Sequence, residues 1–494
     1  MTQLTSHAQT GVEYEAVIGI ECHVELRTES KMFCGCRNVF GAEPNTNVCP
    51  VCLGLPGALP VPNRSAIEHI IRAGLAFGAE VPAFSKFDRK NYFYPDMPKD
   101  YQISQYDMPL VRGGSVTFWL ADGEKHTCRL TRIHLEEDTG KSLHGGTADG
   151  RIAGSAYSLV DFNRAGVPLM ECVSEPDLHS PAEAVAYLEA LKRTFVALGV
   201  SDVKMEEGSL RCDANVSLRP SGSTQLGTKT EIKNMNSFRS VQRAITAEIG
   251  RQRVVLQRGG RIVQETLGWD ELTGATHSMR SKEEAHDYRY FPDPDLVPMQ
   301  FSSDEIERLQ PRADELPQLQ LARLIEHDAI AVKRAEQIVD DVRLSAYYAA
   351  VAVRTNAPGP SAAFILSDPA RLANETGRPI YESLTERAAA ELILLAQRGR
   401  INSKTQKTLL ERVWGTDASP EEIVEREGLA QVSDRGAIEQ FVRNVIAANE
   451  KSAADYRAGK DNALKFLVGQ VMKESRGKAD PVLVEGLLKE HLGR

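Results

Sequence analysis

Between residues 17 and 26, Glu21, His23 and Glu25 alternate with Ile18, Ile20, Cys22, Val24 and Leu26. A strand sends successive side chains to opposite faces, so this spacing puts the apolar residues on one side and the three ionisable groups on the other. Just beyond, Cys34, Cys36, Cys49 and Cys52 fall as two close pairs separated by residues 37–48. Thiolates so paired across a loop of that length can converge on one tetrahedral ion, and they predict a structural zinc knuckle; the plain alternative is four small buried hydrophobes. The polar and apolar alternation recurs downstream. Arg211, Asp213, Asn215 and Ser217 alternate with Leu210, Cys212, Ala214, Val216 and Leu218; Lys229, Glu231 and Lys233 share a face; Arg132, His134 and Glu136 alternate with Ile133 and Leu135, and Glu137 and Asp138 follow. Glu171 sits in the apolar run 169–173. Taken singly, each is the solvated outer face of an antiparallel strand. If the faces line one concavity, Glu21, His23, Glu136, Glu137, Glu171, Asp213 and Glu231 supply the oxygen-rich ligands that magnesium prefers. Such a site would suit phosphoryl transfer, with Lys90, Arg164, Arg211 or Lys233 neutralising developing charge.

Other chemistries fit less well. Thr139-Gly140-Lys141-Ser142 resembles the end of a phosphate loop, but that pattern needs glycine where Leu135 stands, and the acidic residues before it would repel phosphate. A turn is expected there. A zinc hydrolase built on His23 would need a second histidine at short helical spacing, and none is present. His23 is therefore either a structural hydrogen-bonding residue or a ligand on the acidic face.

These side chains need strands to carry them, and a chain long enough to bury those strands. At 494 residues the chain exceeds one core and divides into two to four domains. Its formal charge is −9, from 59 basic and 68 acidic residues, so any contact with nucleic acid needs a local basic patch. No stretch approaches the roughly 20 apolar residues of a membrane span, and the start is polar, which points to a soluble protein of the cytoplasm. The scattered Cys22, Cys128, Cys172 and Cys212 suit a reducing compartment without disulfides. Residues 1–12 read as a flexible leader, and 13–298 as an α+β block of short strands with a few helices. Within it, Ser180-Pro181-Ala182-Glu183 is a capping box opening a helix that runs to Gly199. The proline-dense residues 290–298 close the block. Helical periodicity follows, with a break at residues 356–360, a stripe of Ile438, Phe441, Val442, Val445 and Ile446, another of Leu464, Leu467, Val468, Val471 and Met472, and a last helix opened by Asp480-Pro481.

The segments Val17-Ile18-Gly19-Ile20-Glu21-Cys22-His23-Val24-Glu25-Leu26, Leu53-Gly54-Leu55-Pro56-Gly57-Ala58-Leu59-Pro60 and Lys86-Phe87-Asp88-Arg89-Lys90-Asn91-Tyr92-Phe93-Tyr94-Pro95-Asp96 strongly resemble the B subunits of the bacterial aspartyl/glutamyl-tRNA amidotransferases. Leu135-Glu136-Glu137-Asp138, residues 203–215 and Asp287-Tyr288-Arg289-Tyr290-Phe291-Pro292 extend the resemblance over nearly the whole chain. It implies an antiparallel-sheet cradle similar to the glutamine synthetase fold (13–298), an all-α helical domain (299–409) and a small helical YqeY-like tail (410–494). It also implies a reaction: ATP phosphorylates the side-chain carboxylate of a misacylated Glu-tRNA(Gln) or Asp-tRNA(Asn), and ammonia displaces the phosphate. The ammonia would come from an amidase, the A subunit of the same enzyme, with a small C subunit bracing the pair, since this chain lacks a glycine- and serine-rich amidase run. The catalytic acids implied are Glu21, His23, Glu136, Glu137, Glu171, Asp213 and Glu231, with His23, Glu137 and Glu171 as magnesium ligands. Lys460, Lys465, Lys473, Arg476 and Lys478 offer the tail a local basic patch for a tRNA backbone, or are an ordinary solvated helix face. The rival reading is a noncatalytic tRNA adaptor, which would have no use for acidic strand faces.

Overall fold

The alternation in residues 17–26 forms a strand, Tyr14–Glu25, at the centre of the main sheet, and its predicted apolar face is buried. The computed structural model describes residues 12–146, 154–280, 288–430, 435–475 and 477–493. The expected leader, apart from Val12, lies outside them, as do Asp287 and Arg476. Among the described residues the main sheet has nine strands. Its order is Ala275–Arg280, Thr266–Asp270, Thr230–Lys233, Leu210–Pro220, Tyr14–Glu25, Pro168–Ser174, Lys125–Glu137 and Val111–Arg112, with Ser115–Trp119 also pairing with Lys125–Glu137. Neighbours are antiparallel except Thr230–Lys233 beside Thr266–Asp270, which are parallel. The sheet is thus mixed, where a purely antiparallel one was expected. The reason lies in the connection: the helix Phe238–Gln257 separates those two strands, and a crossover of that kind returns the chain in the same direction.

One face of the sheet is closed by helices. Tyr187, Leu188, Leu191 and Phe195 of Pro181–Ala197, with Val241, Ala244 and Ile245 of Phe238–Gln257, join Ile18, Ile20, Cys22 and Val24 in one core. Each leucine, isoleucine, valine or phenylalanine side chain so buried contributes about 1.5–3 kcal/mol. Half of the predicted capping box forms: the Ser180 hydroxyl accepts from the Glu183 N–H and Pro181 occupies the first turn, while the Glu183 carboxylate accepts from the His179 N–H in place of that of Ser180. With this face covered, the ionisable residues of the same strands are left on the other.

A small sheet supplies a wall on that side: Asp88–Asn91 pairs with both Tyr101–Ser104 and Phe291–Pro292. Thr139 and Gly140 lead into the strand Lys141–Gly145, so the lysine of the phosphate-loop-like tetrapeptide sits in a hairpin. A phosphate loop would open a helix instead.

The chain divides into two compact units between Gln320 and Leu321. The first continues beyond the proline-dense stretch because Met299–Gln300 pairs with Phe84–Ser85, Arg72 meets Glu315 at 3.0 Å, and Gln318 donates to the Ala76 carbonyl. The second unit contains helices and no strand among its described residues. Asn356, in the left-handed region, ends Val342–Thr355, and Pro358 already opens the next helix, so the expected break is shorter than residues 356–360. The four last helices, Arg435–Ala448, Glu450–Arg457, Asn462–Glu474 and Pro481–Leu492, bury Ile438, Val442, Val445, Ala453, Tyr456, Leu464, Leu467 and Val471 in an apolar core of their own. Among the described residues no helix is long and apolar enough to cross a membrane.

Candidate functional site

Register brings the ionisable residues together. His23 lies opposite Glu171 on one neighbouring strand and Arg211 on the other, and Glu171 lies opposite His134. Glu21 faces Asp213, and Asn215 faces Glu231. Residues directly opposite in antiparallel pairs share a face. The result is a cavity of about 380 Å³ lined by Glu21, His23, Glu136, Glu171, Asp213 and Glu231, with Lys90, Arg132, His134 and Lys233 among them. Tyr106, Tyr288 and Tyr290 complete one side.

At its floor the His23 Nε2 is 3.4 Å from Glu171 and 3.8 Å from Glu136. His134 Nε2 stands 3.4 Å from the same Glu171 oxygen, and Arg132 3.4 Å from the other. Burial pushes the His23 pKa down, but the hydrogen bond to Glu171 and the charges of Glu171, Glu136 and Asp213 outweigh it and raise the pKa to about 9. Burial works against the Glu171 carboxylate, yet His134, His23 and Arg132 hold its pKa far below the usual range. One donor atom each from His23, Glu136 and Glu171 lies within 4.8 Å of the others, a spacing that one cation can bridge. Lys233 is clasped by Asp213 and lies 3.4 Å from Glu231; burial lowers its pKa, but these two carboxylates raise it above the ordinary value. Glu21 accepts from Asn215 at 3.0 Å, and Glu231 from Thr266 at 2.9 Å.

Three of the predicted residues stand elsewhere. Glu137 is on the opposite parity of its strand from Glu136 and turns to Lys99 and to the Ile103 N–H at 2.9 Å. It lines a separate cavity of about 150 Å³ beside Cys34 and Cys52. The group beside His23 and Glu171 is therefore Glu136, where the resemblance implied Glu137 as the magnesium ligand. Arg211 and Arg164 converge on buried Asp138, at 2.6 and 3.6 Å. Burial works against the Asp138 carboxylate, yet the two guanidinium groups hold its pKa below the usual range. Arg164 also donates to the Thr139 and Gly140 carbonyls. Arg132, His134 and the tyrosines were not singled out as site residues. Arg132 and His134 had a signal, since they share the strand face of Glu136.

The four cysteines meet. Cys34, Cys36, Cys49 and Cys52 each place a sulfur within 4.8 Å of the rest. The Cys49 and Cys52 sulfurs are 3.9 Å apart, and thiolates bound to one tetrahedral zinc are separated by about 3.8 Å. A hydrogen bond from Cys34 draws the Cys52 thiol well below its ordinary pKa, assisted by the nearby Lys31 ammonium. Lys31 is fully buried, 2.9 Å from the Asn47 carbonyl and 3.7 Å from the Cys52 sulfur.

In the second unit Lys465 and Lys473 are exposed on Asn462–Glu474. Lys460 pairs with Asp455 at 2.9 Å, and Lys478 donates to the Gly428 carbonyl.

An acidic cavity on a mixed sheet, a four-cysteine knuckle and a helical C-terminal module place the chain in a recognisable class. The GatB/GatE catalytic domain matches residues 16–307, which hold both cavity and knuckle, and the GatB domain, a YqeY-like module, matches residues 346–492. The similar relatives include the aspartyl/glutamyl-tRNA(Asn/Gln) amidotransferase B subunit of Carboxydothermus hydrogenoformans, 48% identical over 98% of this chain and 99% of that protein. Those of Moorella thermoacetica and Anaeromyxobacter dehalogenans are 51% and 50% identical, each over 97% of this chain and 100% and 99% of their own lengths. The chain belongs to the B-subunit family of the aspartyl/glutamyl-tRNA(Asn/Gln) amidotransferases.

Proposed function

We propose that this chain is the part of a tRNA-dependent amidotransferase that activates a misacylated tRNA and amidates it, and that the acidic cavity is where both steps occur. The observation that carries the reading is the convergence of His23, Glu136 and Glu171 with Lys233 and Lys90 inside the region matching the catalytic domain. An adaptor that only docked tRNA would gain nothing from buried carboxylates, which repel phosphate.

The substrate is Glu-tRNA(Gln), Asp-tRNA(Asn) or both. A carboxylate is a poor electrophile, so an oxygen of the aminoacyl side chain attacks the γ-phosphorus of ATP, the bond to the bridging oxygen breaks, and ADP departs. Ammonia then attacks the acyl carbon of the acyl phosphate, the carbon–oxygen bond to phosphate breaks, and the nitrogen gives up a proton as the amide forms. Lys233 and Lys90 are placed to meet the transferred phosphoryl oxygens, while Asp213 and Glu231 fix the Lys233 ammonium. His23, Glu136 and Glu171 would hold magnesium, a hard cation suited to carboxylate donors. When bound it neutralises negative charge on the phosphates. Glu21 borders the same space and, held by Asn215, presents a fixed carboxylate to the incoming ligands.

The remaining assignments follow from this reading. The first unit is a cradle of glutamine synthetase type, and the second comprises a helical domain followed from about residue 410 by a tRNA-gripping tail. Zinc in the cysteine knuckle is structural, because four thiolates leave no open position. An amidase, the A subunit, supplies ammonia, and a small C subunit completes a cytoplasmic heterotrimer. The test is ATP turnover by the purified complex. Cleavage that depends on misacylated tRNA is expected; cleavage equal without tRNA, or with correctly charged tRNA, overturns the reading.

A further inference from the structure

At the rim of the acidic cavity, the chain gathers aromatic and basic side chains, among them Phe93, Tyr94 and Arg289, that the proposed phosphoryl transfer does not use. Phe93, Tyr94 and Tyr106 are 67%, 46% and 54% exposed. The Tyr106 ring stacks on Tyr290 at 4.4 Å and 15°, and Tyr92 stacks on Tyr94 at 5.6 Å and 20°. Cations lie over this group: Arg289 is 5.6 Å from the Phe93 ring centre and Lys90 5.0 Å from that of Tyr288. The two segments are fastened together, since the Asn91 amide donates to the carbonyls of both Tyr288 and Arg289 at 2.9 Å. Arg289 holds a left-handed backbone, φ 46°, which a bulky residue adopts only at a local cost.

This cluster is continuous with the cavity, because Lys90, Tyr106, Tyr288 and Tyr290 line its wall while Phe93, Tyr94 and Arg289 lie outside. Exposed aromatic rings interleaved with cations are how proteins hold unpaired nucleotides: bases stack on the rings and the cations meet the backbone. Charge selects the direction of approach. The cavity floor is carboxylate-rich and repels phosphodiesters, whereas Arg289 and Lys90 attract them at the rim. A cavity of about 380 Å³ admits an aminoacyl group but no duplex, so the strand that delivers it must be single at this point.

We infer that Phe93, Tyr94 and Arg289 form a stacking collar for the unpaired 3′ end of the aminoacyl-tRNA, holding its terminal bases at the rim so that the aminoacyl side chain reaches the His23, Glu136 and Glu171 group. This rests on the proposed amidotransferase reading and adds to it the element that positions the substrate. Adenine of ATP presents the same ring to a stacking surface, so the test separates the two. Using the full complex with its partner subunits, Phe93→Ala and Tyr94→Ala are compared with Phe93→Trp, which keeps a ring, and Phe93→Leu, which keeps apolar area without one. Loss of one base stack raises the KM for misacylated tRNA about tenfold in the alanine and leucine variants, more than any fall in kcat, and the tryptophan variant restores it. The KM for ATP stays at the wild-type value. A 2-aminopurine at the tRNA terminus is quenched by the wild-type complex and less by Phe93→Ala. An unchanged tRNA KM, a raised ATP KM in its place, or failure of the complex to assemble each overturns the inference. Failure of the wild-type complex to amidate misacylated tRNA would refute the underlying reading, a result distinct from all three.

Discussion

Replacing Lys31 by methionine isolates one buried charge beside the cysteine knuckle. The side chain has no exposure; its ammonium donates to the Asn47 carbonyl at 2.9 Å, lies 3.4 Å from the Phe162 carbonyl, and sits 3.7 Å from the Cys52 sulfur. It joins the knuckle loop to the segment around residue 162. Methionine has nearly the same reach and no donor, so the volume is kept while both carbonyls and a thiolate lose their partner. Hydrogen bonds to charged groups contribute about 1.5–3 kcal/mol, and breaking a buried charge pair costs about 3–5 kcal/mol. With zinc bound as proposed, the four thiolates would carry a net negative charge that Lys31 would partly offset. Lys31→Met should therefore lower the unfolding free energy of the first unit by about 3–5 kcal/mol and speed zinc loss to a competing chelator. Lys31→Arg should not rescue it, because the planar guanidinium demands a different set of acceptors. Denaturant unfolding with equimolar zinc, followed by a colorimetric chelator assay, measures both. A change under about 1 kcal/mol together with unchanged zinc retention would refute the reasoning.

Cys49→Ser should leave less than about half an equivalent of zinc per chain by metal analysis, because a structural site needs all four ligands; unchanged metal content would move the ion elsewhere. Glu136→Gln and His23→Ala should each lower tRNA-dependent ATP cleavage by about 100-fold or more with tRNA affinity nearly intact. Glu137→Gln, which faces Lys99, should leave the magnesium dependence of the reaction in place, and a magnesium titration giving the same shift for both glutamates would show the parity assignment to be wrong. Removing the residues after Gly428 takes away the separate apolar core of the last four helices. It should weaken tRNA binding and flatten its salt dependence by about 0.9 in the log–log slope for each phosphate no longer neutralised, and an unchanged slope would mark Lys465 and Lys473 as a merely solvated face.

What the sequence disclosed was local, and what it withheld was pairing. Period-two alternation placed Ile18, Ile20, Cys22, Val24 and Leu26 on a buried face, and those residues are buried. The helical stripes from Ile438 to Ile446 and from Leu464 to Met472 were equally readable, because each is satisfied by helices close in sequence. Nothing local in residues 17–26 says that His23 will face Glu171, which lies far along the chain. Likewise, nothing around Arg211 says that its charge will go to Asp138 and not to a ligand. The parallel strand Thr266–Asp270 carries a glycine and no clear alternation, so its place in the sheet had no signature.

Glu136 and Glu137 show where resemblance and physics part. Resemblance brings both glutamates into the site together, as neighbours in one motif. The single concavity expected from the sequence also grouped both among its ligands, although strand alternation separates them, since Glu136 shares a face with Arg132 and His134 and an odd step turns Glu137 the other way. The structure follows parity: Glu136 stands 3.8 Å from His23, while Glu137 binds Lys99 and lines the cavity beside Cys34 and Cys52. Two adjacent carboxylates thus serve two cavities on opposite faces of a single strand. A substitution at either one reports on only one cavity, so the two variants together separate chemistry at the acidic floor from events beside the knuckle.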